Sequence, residues 1–287
     1  MEHYAENRKI YLDKSRRIAG INRKKRIHRR KRILKSVLFF CVAALGICCY
    51  LIWRQPENIH TSVLPSKTSN TALSENKKAN NFYMDYPEEI RELLEKNPEA
   101  EDFAIGYAER DSYINKPIDL SKDYTAGEVP LLMQWDRRWG YDSYGDDMIG
   151  IAGCGPTCLS MAYIYLTGDT DKNPRVMAEF AYENGYYTSA GTLWSLWKEG
   201  VSKLGLSGEE ISLNEKTMKN CLDKGKIIIC SMSPGDFTTE GHFILIHGYG
   251  KNGFYVNDPN RHSTSEKTWS FDRLKKQIKC LWALSEG

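Results

Sequence analysis

The chain has 287 residues, room for one medium domain with appendages or for two small ones. Its formal charge of +3 conceals a division: fifteen Lys/Arg face three Asp/Glu through Gln55, a balance of +12, while twenty-five face thirty-four in the remainder, a balance of −9. The larger part is therefore acidic, and rich in tyrosine and tryptophan; lacking a basic patch, it excludes nucleic acid as a partner.

Residues 1–35 form a basic cytoplasmic segment, densest in Arg23-Lys24-Lys25-Arg26 and Arg29-Arg30-Lys31-Arg32. Residues 36–53 then carry no charge; as a helix they cover about 27 Å, close to the ~30 Å hydrocarbon core of a bilayer. Tyr50 and Trp53 suit the interface at its far end, so the run reads as a single transmembrane helix. A long basic lead, an apolar run longer than a signal core and the lack of a small-x-small site before Trp53-Arg54-Gln55 favour a retained anchor over a cleaved signal peptide. Positive charge stays inside, which predicts a single-pass plasma-membrane protein with its N-terminus in the cytoplasm and everything beyond Trp53 outside. Residues 54–81 hold too few apolar groups to offset ordering entropy and read as a flexible linker.

Residues 82–128 read as a short helical lead-in. Tyr86-Pro87-Glu88-Glu89 opens a helix with Ile90, Leu93 and Leu94 inward, Asn97-Pro98 ends it, and a second helix turns Phe103, Ala104 and Tyr107 inward. From 129 to 287 the chain reads as one domain. An aromatic stretch, Gln134-Trp135-Asp136-Arg137-Arg138-Trp139-Gly140, leads to Gly153-Cys154-Gly155-Pro156-Thr157 and a helix whose apolar stripe runs through Cys158, Met161, Ala162 and Tyr165 until Thr167-Gly168-Asp169 stops it. Further helices are predicted over Pro174–Asn184 (Val176, Met177, Phe180 and Ala181 on one side), from Gly191 toward Leu204, and over Leu213–Lys224. The period then changes. Ile227–Met232 and Gly241–Tyr249 are short apolar runs expected of strands, Asn252-Gly253 marks a tight hairpin, Phe254–Asn257 returns, and Lys279–Leu284 adds a last strand. Helices followed by an antiparallel sheet make an α+β fold.

Eight cysteines fall at 41, 48, 49, 154, 158, 221, 230 and 280. The last five lie in the globular part, without Cys-x-x-Cys spacing; a structural zinc and a dense disulfide framework are not expected, while one bridge among Cys221, Cys230 and Cys280 stays open. No cofactor is implied. Cys154, predicted at a helix N-terminus, is where free N–H groups and the dipole favour thiolate. The same cysteine read blandly is a small apolar residue in a tight turn, so partners must decide. His3, His28 and His60 precede the domain and His262 sits in a polar loop; His242 opens a strand, and His247 shares its face only if a bulge intervenes. The hairpin brings the end of the returning strand beside the start of the first, so Asp258 can neighbour His242 and fix its tautomer. Cysteine, histidine and aspartate make a nucleophile, base and orienter set; the Cys154 N–H and the Gln134 amide are candidate oxyanion donors.

The Gln134–Gly140 stretch, Gly153–Thr157, Gly241-His242-Phe243 and Asp258-Pro259, in that order between about Val129 and Trp282, resemble the C39-like cysteine peptidase family, a branch of the papain-like fold. The resemblance implies Cys154 as nucleophile, His242 as base, Asp258 as orienter and Gln134 as oxyanion donor, acting on a peptide or isopeptide bond of a peptide or protein substrate. Relatives fused to export transporters cleave leader peptides after paired glycines; no nucleotide-binding or six-span region accompanies the domain here. Two alternatives remain at this point. One is a non-catalytic peptide- or cell-wall-binding module, its groove lined by Trp135, Trp139, Trp194 and Trp197; the other is an amide-transferring, transglutaminase-like enzyme.

Overall fold

The computed structural model describes residues 86–287. The basic segment, the apolar run over 36–53 and the linker over 54–81 lie outside the described residues; among the described ones, no helix is long and apolar enough to cross a membrane.

The lead-in consists of α1 (Glu88–Lys96), a 3-10 turn (Pro98–Ala100), α2 (Glu101–Gly106) and a second 3-10 turn (Tyr107–Ser112). Pro87 precedes α1, and Glu88 and Glu89 occupy its first turn, where carboxylates complement free N–H groups. Ile90, Phe103 and Ala104 are buried in a small core of their own with Tyr141, whose ring stacks on Phe103 at 4.4 Å and whose hydroxyl donates to the Phe103 carbonyl at 2.6 Å. Tyr107, expected inward on the second helix, instead begins the 3-10 turn and is half-buried.

The helical layer follows: a two-residue hairpin β1 (Ser143–Tyr144) and β2 (Asp147–Met148), then α3 (Ile149–Ala152), α4 (Cys154–Thr167) and α5 (Pro174–Glu183). Helix α4 is the centre of the molecule. Rather than one apolar stripe it buries every residue from Gly155 to Ala162 and also Ile164, while Tyr165, assigned to the stripe, is half-buried. A helix apolar on all sides belongs inside a core. Each of Leu159, Met161 and Ile164, fully buried, contributes roughly 1.5–3 kcal/mol. Gly168, at φ 74°, closes α4 in the left-handed conformation that glycine adopts without penalty. In α5 the buried side is Met177, Ala178 and Ala181; Val176 and Phe180 are only half-buried.

The helix expected from Gly191 is not formed there. Gly191, at φ 102°, turns a second small hairpin, β3 (Tyr187–Thr188) with β4 (Gly191–Thr192), a conformation no α-helix allows; a 3-10 turn (Trp194–Trp197) and α6 (Glu199–Lys203) come after it. Strand β5 (Leu206–Glu210) is polar in sequence, and its ladder partner alone shows it to be a strand. Helix α7 (Glu215–Leu222), capped by the Asn214 side chain, buries Met218; Cys221 and Leu222 are half-buried.

Strands β6 (Ile227–Met232), β7 (His242–Gly250) and β8 (Gly253–Asn257), then α8 (His262–Ser265), β9 (Thr268–Trp269), α9 (Phe271–Leu274) and β10 (Ile278–Glu286) complete the chain. The sheet is antiparallel throughout, in the order β5-β10-β6-β7-β8-β9. Its period-2 alternation sorts side chains between two cores. Ile227, Ile229, Phe243, Leu245, Cys280 and Trp282 face the α4 core, and Ile228, Cys230, Ile244, Ile246 and Phe254 pack with Met218 in the other. This sorting answers the disulfide question: Cys230 and Cys280 lie on neighbouring strands but in opposite cores, and all five cysteines of the described residues are free.

Candidate active site

Cys154 is the first residue of α4, reached from α3 through Gly153. Both flanking glycines have steric causes. A Cβ on Gly153 would strike the Ile149 carbonyl, and one on Gly155 would enter Thr192, the last residue of β4. Thr192 in turn shares a 2.9 Å hydrogen bond with the hydroxyl of buried Tyr144, whose phenol lies close enough to sense the Cys154 charge. Both small hairpins therefore pack beside the cysteine, a wall that neither short sequence announces. The first N–H groups of a helix lack intrahelical acceptors, which makes the head of α4 a favourable place for negative charge.

The cysteine one turn further on is chemically different. Cys158 is fully buried and donates its thiol to the Phe243 carbonyl at 3.5 Å, and burial pushes its pKa well up. That contact also fixes the start of α4 against the start of β7, which brings His242 to Cys154. The histidine is buried and paired in register with Met232, and the Cys154 side chain lies near enough to act on its imidazole. Its Nε2 donates to Asp258 Oδ1 at 2.7 Å. That leaves Nδ1 as the ring nitrogen for sulfur. Burial alone would lower the His242 pKa; the Asp258 charge and hydrogen bond, reinforced by Cys154, outweigh it and push the value up to about 10.

Asp258 follows β8 directly and is fully buried. A buried carboxylate needs several donors, and this one has them: Asn260 N reaches Oδ1 at 2.9 Å and the Thr264 hydroxyl reaches Oδ2 at 2.6 Å. Its own N–H donates to Ser265 Oγ at 2.9 Å. Thr264 and Ser265 were not legible as site residues in the sequence, because their role depends on α8 folding back over the aspartate.

Gln134 lies in the same neighbourhood but is otherwise engaged. Its backbone N–H donates to the Pro259 carbonyl at 2.7 Å, and its side-chain amide donates to the carbonyls of Gly150 at 2.9 Å and Ile151 at 3.3 Å, in the turn that feeds Cys154. Its Oε1 is buried without a hydrogen-bond partner. The rest of its motif is structural: Arg138 pairs with Asp136 and with Asp123, both at 2.7 Å, and the Trp139 indole donates to the Met133 carbonyl at 2.9 Å.

The remaining candidates separate. His247 occupies a bulge where the β7–β8 register slips between Ile246 and Gly248; its ring lies 6.2 Å from that of Tyr255, and burial lowers its pKa. His262 is exposed, edge-on to Trp135 at 5.6 Å. The aromatic groove is also corrected: Trp139 and Trp197 are fully buried core residues, Trp135 is half-buried and donates to the Asn260 carbonyl at 2.8 Å, and of the four only Trp194 is exposed. Among the described residues, no group of three or more His, Cys, Asp or Glu side chains is arranged to hold a metal ion.

The model of the Peptidase_C39 like family matches residues 126–286, more than half of the chain. Among solved structures, the peptidase domain of Streptococcus ComA, a bi-functional ABC transporter involved in a quorum-sensing pathway, is 20% identical with a TM-score of 0.38, covering 47% of this chain and 93% of that one. A C39-like peptidase from Bacillus anthracis is 15% identical with a TM-score of 0.34, covering 56% of this chain and 96% of that one. No curated protein matches the chain.

Proposed function

Given that the chain belongs to the Peptidase_C39 like family, we propose that it is a cysteine peptidase, a thiol hydrolase that cuts a peptide or isopeptide bond through an acyl-enzyme. The observation that carries the reading is the buried His242, held by Asp258 at 2.7 Å through one ring nitrogen, with the Cys154 side chain near enough to favour its protonated form. An imidazole so stabilised in its protonated form takes the thiol proton, so that the pair rests as thiolate and imidazolium. The sulfur attacks the carbonyl carbon, and the carbonyl electron pair moves to oxygen. When the tetrahedral intermediate collapses, the C–N bond breaks and His242 gives its proton to the departing amine. Water, giving its proton to the now neutral imidazole, then attacks the thioester carbon; the C–S bond breaks, the acid leaves, and the thiolate and imidazolium are restored.

The oxyanion is assigned to the Cys154 backbone N–H and to the Gln134 amide, which would give up the Ile151 carbonyl, the longer of its two bonds at 3.3 Å. Asp258 keeps the imidazole in one tautomer and one orientation. The uncharged run over 36–53 is proposed to anchor the peptidase in the plasma membrane with its catalytic domain outside. Protease accessibility of sealed cells tests that part: the domain should be digested from outside, and its protection would reject the topology.

The activity is tested by incubating the full chain with a peptide library beside its Cys154→Ala form. Cleavage products that appear only with the native cysteine support the peptidase. Equal product profiles, together with retained peptide binding, would replace it by the non-catalytic module.

A further inference from the structure

The lead-in ahead of residue 126, where the family match begins, reaches the loop behind Asp258 at several points. The buried Asn97 donates its side-chain amide to the Asn260 carbonyl, and the Arg261 guanidinium donates to the Lys96 carbonyl. Glu99 accepts from two consecutive backbone N–H groups, His262 at 2.6 Å on Oε2 and Ser263 at 3.3 Å on Oε1. Although burial acts to raise the Glu99 pKa, the bonds from Ser263 and His262 hold it below the ordinary value, so the acceptor stays ionised.

The segment gripped in this way, 260–265, is the one that holds Asp258. Asn260 N and the Thr264 hydroxyl supply donors to its two oxygens, and Ser265 takes its N–H. A carboxylate meets an imidazole productively over a narrow range of distance and angle, so whatever fixes this turn fixes the pairing with His242. A chain of direct bonds thus runs from Glu99, through the backbone of 262–263 and the Thr264 side chain, to Asp258 and on to His242.

We propose that Asn97 and Glu99 are positioning residues for the Cys154, His242 and Asp258 site: by locking the 260–265 turn from outside the matched domain they set the orientation of Asp258 against His242. The assignment rests on the peptidase reading above for its purpose, but its test reads the imidazole itself and not turnover. The titratable groups acting on His242 are Asp258 and Cys154, and the one acting on Glu99 is His262.

The experiment is an NMR titration of the full chain labelled in its histidine rings, with the His242 signal identified by its loss in His242→Gln. Glu99→Ala should lower the His242 titration midpoint by about one unit or more, since a misoriented carboxylate stabilises the imidazolium less. Asn97→Ala should lower it by a smaller amount. Glu99→Gln, which keeps an oxygen at full reach of the two N–H groups, should retain most of the native midpoint, whereas Glu99→Asp, one methylene short of them, should fall between Gln and Ala and carries the comparison if the alanine form does not fold. Midpoints that stay native in every folded variant while thermal stability drops would reduce the contacts to a structural clamp and overturn the proposal. A native chain that cleaves no peptide, but whose midpoint still moves in these variants, would sink the peptidase reading and leave the positioning role standing.

Discussion

Thr264 Oγ1 lies 2.6 Å from Asp258 Oδ2, on the carboxylate oxygen that His242 does not use. Both residues are buried, so deleting the hydroxyl strands an acceptor away from water. Thr264→Val should therefore cost about 1–3 kcal/mol of stability and slow alkylation of Cys154 at mildly acidic pH by roughly tenfold. Thr264→Ser should be close to native in both. Urea unfolding and a timed alkylation assay give the two numbers, and a Val form with native alkylation would detach Thr264 from the site.

The raised pKa of His242 links the site to stability. The folded value is pushed up to about 10 from an ordinary 6.5, so the contribution is fully present below about pH 6.5 and is lost as pH rises toward 10. Native protein should lose unfolding free energy across that window relative to His242→Gln, which has no group to titrate there. Parallel stability curves for the two proteins between pH 6 and 10 would mean that the imidazole is not held protonated.

The two cysteines of α4 should respond oppositely. Cys158→Ala should leave the fast alkylation untouched and should destabilise the protein, because a fully buried side chain on the α4 core is truncated. Cys154→Ala should remove the fast alkylation with little effect on unfolding. Mass spectrometry of the labelled peptide decides it; fast label on Cys158 in native protein would reassign the nucleophile.

Gly155→Ala drives a Cβ into Thr192 and should destabilise by about 1–3 kcal/mol, as overpacking does. Thr192→Ala removes part of the obstacle, so the double variant should be more stable than the sum of the two singles predicts. Strict additivity in a double-mutant cycle would show that the hairpin carrying Thr192 does not press on the head of α4.

Much of this architecture was legible because its signals are local. Ile227–Met232 is a short apolar run and becomes a fully buried strand; the hairpin expected at Asn252-Gly253 forms one residue earlier, with Lys251-Asn252 as the two-residue turn between paired Gly250 and Gly253. His242 and Asp258 could be brought near each other on paper because a hairpin sets the start of one strand beside the end of the next, whereas Cys154 joined them only through its chemistry and the family resemblance. What stayed hidden depends on partners distant in sequence. Strand β5 looks polar because it is an edge strand, and Gly208 is dictated by the Trp197 carbonyl packed against it. Gly191 looked like a helix start, but its positive φ turns a hairpin whose purpose, holding Thr192 against Gly155, appears only in three dimensions. Trp139 and Trp197 looked like groove walls because aromatic composition does not distinguish core from cleft. Thr264 and Glu99 belong to the site only through the fold of the loop after Asp258.

The most direct measurement of the central claim is the alkylation rate of Cys154 at pH 5.5 and at pH 10 in native protein and in His242→Ala. If the buried imidazolium holds the thiolate, native protein reacts at both pH values, and the variant falls at least about tenfold behind at pH 5.5 while matching it at pH 10. Equal rates for the two proteins at pH 5.5 would contradict the pairing of Cys154 with His242, and with it the catalytic site.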